Sequence, residues 1–352
     1  MKTWQQQHSS CEQDIVQLAE KLNLCAADAA TVAQRYPVLI SHHIMALIAD
    51  GSEAIRRQFV PDIAELDDDA ATIVDPLNEE ALSPVPHLVH RYPQRVLLLA
   101  AGSCFSYCRF CTRKRKVGCA DMAVSFGDLL KGIDYIAAHG EINEVIISGG
   151  DPLTMSDALL ADLLKRLRRI PHVQVLRVGS RAPVVLPQRI TPQLCNLLRQ
   201  HQPLYFLTHF NHPDELTPAA ITACTELVSA GIPLVNQTVL LRGINDEVQI
   251  LQRLFFALHR LCIRPYYLHQ MDLTIGTGHF RTSLERGIAI MDALRGPLSG
   301  LAVPTYIVDL PGGHGKVPIT PDYIKTLGIN TKLRAANGTI IDYPNVIQAA
   351  TH

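Results

Sequence analysis

No apolar run in this 352-residue chain marks a membrane span: Val96 to Ala101 falls far short of the ~20 residues a transmembrane helix needs and fits a buried strand. The opening residues Met1 to His8 lack the uninterrupted apolar core of a secretory signal, so the expected location is the cytoplasm, where thiols stay reduced. Neither sign of charge is in excess. Lys+Arg 32 against Asp+Glu 33 leaves a formal net charge of -1, which argues against a broad footprint for nucleic acid or an anionic membrane and allows only local basic patches. Aromatic residues are sparse at 6%, yet 47% hydrophobic and 18% charged residues describe an ordinary globular protein with a sizeable core, and exclude disorder, collagen and coiled coil. The 9 cysteines are too few and too scattered for a small disulfide scaffold, and an odd total leaves one unpaired in any case. They raise the question of metal, cluster or catalytic thiols.

The length fits one large domain with an appendage, or two domains. Residues 1–84 read as helical, with apolar residues at helical spacing at Ile15, Leu18 and Leu22 and at Ile40, Ile44, Leu47 and Ile48. Asp75-Pro76-Leu77-Asn78 and Ser83-Pro84-Val85-Pro86 are turn-rich and predict a linker. From Arg95 onward, branched apolar runs alternate with amphipathic helical stretches. The expected strands are Val96–Leu99, Glu144–Ser148, Val173–Val178, Leu204–Thr208, Leu234–Leu241, Arg264–His269 and Val303–Asp309. This α/β pattern predicts an open or complete TIM-type (β/α) barrel over residues 85–318, with a short tail over 319–352. Thr191-Pro192 and Thr217-Pro218 each read as an N-cap before a first-turn proline, and Gly231 as a left-handed C-terminal cap. In such a barrel the active site collects at the C-terminal strand ends.

Directly after the first of those strands stand Cys104, Cys108 and Cys111, a C-x3-C-x2-C arrangement. Iron-sulfur clusters are usually held by four thiolates, so three on one loop leave one iron of a 4Fe-4S cluster open to a ligand. A structural zinc site is the alternative, with Cys119 as a fourth thiol, although its distance from Cys111 forms no standard zinc pair. Cys11, Cys25, Cys195, Cys224 and Cys262 lie in helical stretches without motif spacing and read as small packing residues. The spacing resembles the radical S-adenosylmethionine (SAM) superfamily, in which the open iron chelates SAM and the cluster's electron cleaves it to a 5'-deoxyadenosyl radical. After the second strand, Ser148-Gly149-Gly150-Asp151-Pro152 resembles that superfamily's Gly-Gly-Glu-Pro element, whose backbone meets the SAM amino group; by itself it is also an ordinary turn.

The last strand leads into Pro311-Gly312-Gly313-His314-Gly315-Lys316. This is not a Walker A loop, since Val317 follows the lysine. A glycine run ending in one amine can expose that amine for a Schiff base with pyridoxal phosphate (PLP); a surface turn bearing a lysine fits the same residues.

Taken in order, the cysteine motif with Thr112-Arg113-Lys114-Arg115, Ser148 to Asp151, Thr208-His209-Phe210-Asn211-His212-Pro213, Asn236 to Leu241, Gly278-His279-Phe280-Arg281-Thr282 and Pro311 to Lys316 resemble lysine 2,3-aminomutases over roughly residues 84 to 320. The resemblance implies a 4Fe-4S cluster on Cys104, Cys108 and Cys111, SAM contacts from His209 and Gln237, PLP on Lys316 and Arg95 near the PLP phosphate. It also implies that Arg113 binds the carboxylate of L-lysine, and that Asp272 and Asp309 receive its side-chain ammonium. Both aspartates fall at C-terminal strand ends, and a buried ammonium needs anionic partners. Read without the resemblance, Asp309 is equally a turn cap and Asp272 a loop residue. A glutamate-acting relative would not want two carboxylates there. The basic run Arg109, Arg113, Lys114, Arg115 and Lys116 lacks interleaved stacking aromatics and reads as a local anion or carboxylate site rather than a nucleic-acid surface.

Two departures stand out. Little follows Lys316, and the tail has no cysteine where the clostridial type continues into a zinc-binding multimerisation segment; His269 stands where a tyrosine near PLP is typical. The short form is similar to bacterial enzymes that make (R)-β-lysine, which a separate ligase attaches to elongation factor P. A flavodoxin or ferredoxin as electron donor is a further expectation of the resemblance, and self-association into a homo-oligomer is left open. Alternatives are a radical SAM enzyme without PLP, an aminomutase for another amino acid, and a zinc-dependent binding module.

Overall fold

The computed structural model describes residues 3–67 and 70–345. Helices α1 (Trp4–Ser9), α2 (Ile15–Leu22), α3 (Ala26–Arg35), α4 (His42–Ala49) and α5 (Glu53–Phe59) fill the N-terminal region. Side-chain oxygens of Asp14, Ser41 and Ser52 accept first-turn N–H groups, so the starts of α2, α4 and α5 are fixed by sequence. Ile40 lies just outside α4, where it bridges to Glu12.

The barrel region then runs β1 (Leu88–Tyr92), β2 (Arg95–Ala101), α6 (Phe126–Ala138), β3 (Glu144–Gly149), α7 (Asp157–Arg168), β4 (Val175–Gly179), α8 (Ala182–Val185), α9 (Pro192–Arg199), β5 (Leu204–Thr208), α10 (Pro218–Ser229), β6 (Leu234–Leu240), α11 (Val248–Arg260), β7 (Ile263–Gln270), α12 (Leu284–Leu294), β8 (Thr305–Leu310) and β9 (Gly315–Pro318). All strands join one sheet in sequence order from β1 to β9. Pairing is parallel from β2 through β8 and antiparallel at both edges. The seven expected strands are β2 to β8, each within two residues of its expected ends. The sheet stays open. Its edges nonetheless approach one another, because the Tyr92 hydroxyl on β1 accepts the Lys316 N–H of β9 at 3.1 Å. The fold is thus a partial (β/α) barrel.

Along β2 the even-numbered Val96, Leu98 and Ala100 are buried against helices, while the odd-numbered side chains face the lumen, as the two-residue period of a strand requires. Thr191 and Thr217 cap α9 and α10 through their hydroxyls, with Pro192 and Pro218 in the first turns, and Gly231 after α10 has φ 77°. The core is continuous. Leu18, Ile44 and Phe59 of the N-terminal helices belong to the same buried cluster as Val96, Ile147 and Phe206 of the barrel.

Three expectations need correction. The turn-rich segment around 75–84 is no passive linker, since the Pro76 carbonyl accepts the Gly312 N–H at 2.8 Å and Leu77 lines the central cavity. The tail folds into an antiparallel sheet of β10 (Ile324–Thr326), β11 (Asn330–Arg334) and β12 (Ile340–Pro344), anchored where Arg334 forks onto Asp292 of α12 at 2.8 and 3.0 Å. Residues 346–352 of that tail lie outside the described residues. Cys195 and Cys224 pack inside helices as expected and Cys11 is buried between α1 and α2, whereas Cys25 and Cys262 are exposed at element ends, where helical packing does not reach them. Among the described residues, no helix is long and apolar enough to cross a membrane.

Candidate active site

The loop after β2 is held from outside the barrel. Leu39 and Gln58, both in the N-terminal region, accept the backbone N–H groups of Tyr107 and Arg109 at 2.9 and 2.8 Å, and the Ser106 hydroxyl accepts the Ser41 N–H at 2.9 Å. Arg109 forks onto Glu65 with its closest contact at 2.6 Å, and Lys114 reaches the same carboxylate at 2.5 Å. Glu65 is wholly buried. Burial pushes its carboxyl up, but the two cations outweigh that and hold it below the usual range. Cys104, Cys108 and Cys111 thereby face a single cavity of about 400 Å³. Burial, followed by the neighbouring Cys108, raises the Cys111 thiol to about 11, and burial, followed by the Asp151 charge, raises Cys104 well above the usual thiol value. Three thiols on one wall are the ligand type and number that leave one iron of a 4Fe-4S cluster open.

At the end of β3, Gly149 has φ 138°, and a Cβ there would lie 2.3 Å from the Ala101 carbonyl oxygen; one on Gly150 would lie 2.1 Å from that of Ser103. Only glycine lets this turn lie against the cysteine loop. Ser148 and Gly150 line the cavity. The Asp151 carboxylate is committed to the fold, accepting from the Ser180 hydroxyl, the Arg181 N–H and the Leu153 N–H at 2.9 to 3.0 Å. Burial nevertheless lifts it to about 6.

His209 and Gln237, at the ends of β5 and on β6, line the same cavity. His209 Nε2 is 3.1 Å from Asn211 Oδ1, and burial followed by the Arg181 charge drives its pKa well below the usual imidazole value. It is a neutral side chain.

On the far side of the lumen, Lys316 Nζ donates to Asp309, which also takes the two-pronged contact of Arg91 at 3.0 and 3.3 Å. Burial raises Asp309, but Lys316 and Arg91 prevail and keep it below its ordinary value. Asp272 behaves in the opposite way. Its Oδ2 accepts from the Thr112 hydroxyl at 2.7 Å, while burial, aided by the Asp309 charge, lifts the carboxyl to about 6. Beside Lys316, burial lowers His269 to about 3. Arg113 is held by Glu79 at 2.5 and 2.8 Å and donates to the Gly149 carbonyl at 3.2 Å. Arg95 stacks 4.3 Å over Tyr92 and lies 3.8 Å from Glu144 at the opposite end of the lumen.

Every residue expected at the site therefore lines one cavity, except Gly149, which forms its wall through backbone. Asp272 Oδ1 and His269 Nε2 are buried without a hydrogen-bond partner among the described residues, although both belong to side chains lining the cavity. Such atoms are costly unless a ligand completes them. Together with three thiols and an amine on the same lining, they fit a cavity that takes a cluster and a polar organic cofactor or substrate. The basic run is not a collective anion site: Glu65 takes Arg109 and Lys114, Glu79 takes Arg113, and Glu80 takes Arg115 and Lys116 at 2.7 and 2.6 Å. Of the run, Arg113 alone lines the cavity.

Sequence reasoning missed Arg91, Glu79 and Arg181, and quoted Thr112 in a motif without giving it a role. Arg181 was within reach of the strand-end rule, because it follows β4 by two residues. Arg91 belongs to β1, an edge strand with no apolar run to reveal it.

A parallel partial barrel with three cysteines on the loop after its first parallel strand defines the radical SAM class, and the model of the radical SAM superfamily matches residues 100–254. The lysine-2,3-aminomutase model matches residues 291–351. The chain is 47% identical to an L-lysine 2,3-aminomutase of Acetoanaerobium sticklandii over 84% of its own length and 72% of that protein's. It is 52% identical to one of Fusobacterium nucleatum over 77% of its length, spanning 64% of that relative, and 40% identical to a glutamate 2,3-aminomutase of Clostridioides difficile over 88% and 74%. The chain belongs to the lysine 2,3-aminomutase family.

Proposed function

We propose that the chain converts L-lysine to β-lysine as a radical SAM, PLP-dependent 2,3-aminomutase. One observation carries the choice of substrate: two carboxylates, Asp272 and Asp309, line the cavity with Lys316, and Asp272 keeps a buried oxygen with no partner among the described residues. A terminal ammonium supplies the missing donor, whereas a glutamate side chain would add a third negative charge beside them. The cluster with SAM supplies the hydrogen-abstracting radical, and PLP supplies the conjugated system that lets an amino nitrogen move between adjacent carbons.

The chain's own residues bind and orient. Cys104, Cys108 and Cys111 hold the cluster; Ser148, Gly149, Gly150, His209 and Gln237 form the SAM wall, with Asp151 bracing the turn. Lys316 anchors PLP, and Arg95 serves its phosphate. Arg113 holds the substrate carboxylate, with Glu79 fixing the guanidinium, while Asp272 and Asp309 hold the ammonium. Fixing lysine at both ends matters because orientation alone can contribute ~7–11 kcal/mol, and a loosely held radical would be lost to side reactions. A flavodoxin or ferredoxin is the proposed electron donor. The finer assignment, (R)-β-lysine destined for attachment to elongation factor P, rests on the resemblance alone.

The test is anaerobic reconstitution with iron, sulfide, PLP and reductant, followed by SAM and L-lysine, with chiral analysis of the product. β-Lysine is expected, in the R form. A fully loaded protein that leaves lysine untouched but rearranges glutamate would transfer the assignment to the other branch of the family.

A further inference from the structure

We infer that Arg181 is a positioning residue that sets the reduction potential of the cluster through Cys108 and ties that corner of the site to His209 and to the N-terminal region. The inference rests on the proposed cluster at Cys104, Cys108 and Cys111. Arg181 Nη1 donates to Cys108 Sγ at 2.7 Å, while Nε donates to the His209 carbonyl at 3.2 Å. Nη2 is shared between Gln58 Oε1 at 2.6 Å and Glu215 Oε1 at 2.9 Å. The guanidinium lies 4.8 Å from the Phe59 ring centroid and 5.2 Å from that of Phe110, so its plane is fixed on both counts.

The surroundings are dry. Arg181 is 8% exposed, and Gln58, Asn211 and Glu215 are fully buried. Glu215 does not depend on Arg181 for all its bonds: it also accepts from Gln58 Nε2 at 2.9 Å and from the backbone N–H groups of Asn211 and His212 at 2.6 and 3.3 Å. Asn211 donates to Gln58 Oε1 at 3.0 Å and meets His209 Nε2 at 3.1 Å, closing a circuit from Cys108 to the SAM wall. Hydrogen bonds to cluster sulfurs and burial are among the levers that set iron-sulfur potentials, and partners behind metal ligands orient them. A donor and a positive charge on Cys108 favour the more negative, reduced cluster. Glu215, one hydrogen bond further out, opposes that charge. The two residues should therefore shift the potential in opposite directions.

Three variants of the full chain test this: Arg181→Gln, Arg181→Lys and Glu215→Gln, each reconstituted with iron and sulfide, assayed for iron content and titrated reductively with EPR detection in the absence of SAM. Relative to the parent, the midpoint is expected to become more negative in Arg181→Gln and more positive in Glu215→Gln. Arg181→Lys should shift in the negative direction by less, because a single ammonium keeps the charge but cannot hold Cys108, Gln58 and Glu215 together. If Arg181→Gln takes up less iron than the parent, the other two variants decide. Unchanged midpoints in cluster-loaded variants, or shifts of the same sign from Arg181→Lys and Glu215→Gln, overturn the inference. A parent protein that binds no cluster refutes the proposed function instead.

Discussion

Asp272 and Asp309 line one cavity yet are displaced in opposite directions, and the difference comes from Lys316 and Arg91, which both bind Asp309. Among the described residues Asp272 has only a hydroxyl for a hydrogen-bond partner, and it rises to about 6. If both carboxylates receive the lysine ammonium, acidification disables Asp272 first, because Asp309 keeps the Arg91 guanidinium as counter-ion when Lys316 carries PLP. kcat/KM for L-lysine is expected to fall as pH drops through about 6. In Asp272→Asn that limb should disappear, with a loss of about 2–5 kcal/mol of binding, roughly thirty-fold or more in kcat/KM. A limb retained in the variant would assign it elsewhere. Lys316 carries a second expectation. Lys316→Ala should abolish turnover and the visible absorbance of lysine-bound PLP, and retained absorbance would move the anchor to another amine. At this scale the sequence was readable wherever a residue type is itself the chemistry, as with three thiols or an amine on a glycine loop. It was silent about Arg181, Glu79 and Glu65, because a buried counter-ion gains its meaning only from what the fold brings against it.

The contact between the end of β3 and the loop after β2 shows how elements share the work. Gly150 was legible as part of a motif, but its reason is steric: the Ser103 carbonyl occupies the place of a side chain, 2.1 Å from the would-be Cβ. Gly150→Ala must push the cysteine loop away, at a cost typical of overpacking, about 1–3 kcal/mol. Iron uptake on reconstitution should fall while far-UV circular dichroism stays that of the parent. Full uptake would mean that the loop yields without disturbing its thiols. The parallel strands β2 to β8 were readable from their branched apolar residues, which recur on the face that packs against the helices. The edge strands β1 and β9 were not: Leu88-Val89-His90-Arg91-Tyr92 mixes polar and apolar residues, and Gly315 to Pro318 is short and bounded by a glycine and a proline, both poor strand formers. Those edges carry Arg91, Tyr92 and Lys316, so the elements least visible in sequence supply one wall of the site.

Across the whole molecule, the near-zero net charge conceals a specific exchange. Acids upstream of the barrel, Glu65, Glu79 and Glu80, neutralise the basic run that flanks Cys111, so the N-terminal region acts as the electrostatic partner of the cysteine loop. Glu65→Gln leaves Arg109 and Lys114 as poorly compensated buried cations, a change expected to cost about 3–5 kcal/mol and visible as a lowered unfolding midpoint. A variant within 1 kcal/mol of the parent, roughly the worth of a surface pair, would show that water reaches the triad.

The single tryptophan offers a direct view of the same coupling. Trp4 packs edge-on against Phe105, which lies between Cys104 and Cys108, at 6.1 Å, and Arg189 lies 4.4 Å over its ring. Because α1 and the loop meet there, and because the N-terminal helices share one core with the barrel, Trp4 emission should report on the loop and on the whole fold at once. Denaturant unfolding followed by Trp4 emission and by far-UV circular dichroism is expected to give coincident transitions, since Trp4 packs on the buried cluster that the N-terminal helices share with the barrel. Loading the cluster beside Phe105 should shift both transitions together to higher denaturant, as a ligand that binds only the folded state does. A tryptophan transition that comes first and ignores the cluster would instead make α1 a loosely attached cap, and would confine the clamp on the loop to Leu39, Ser41, Gln58 and Glu65.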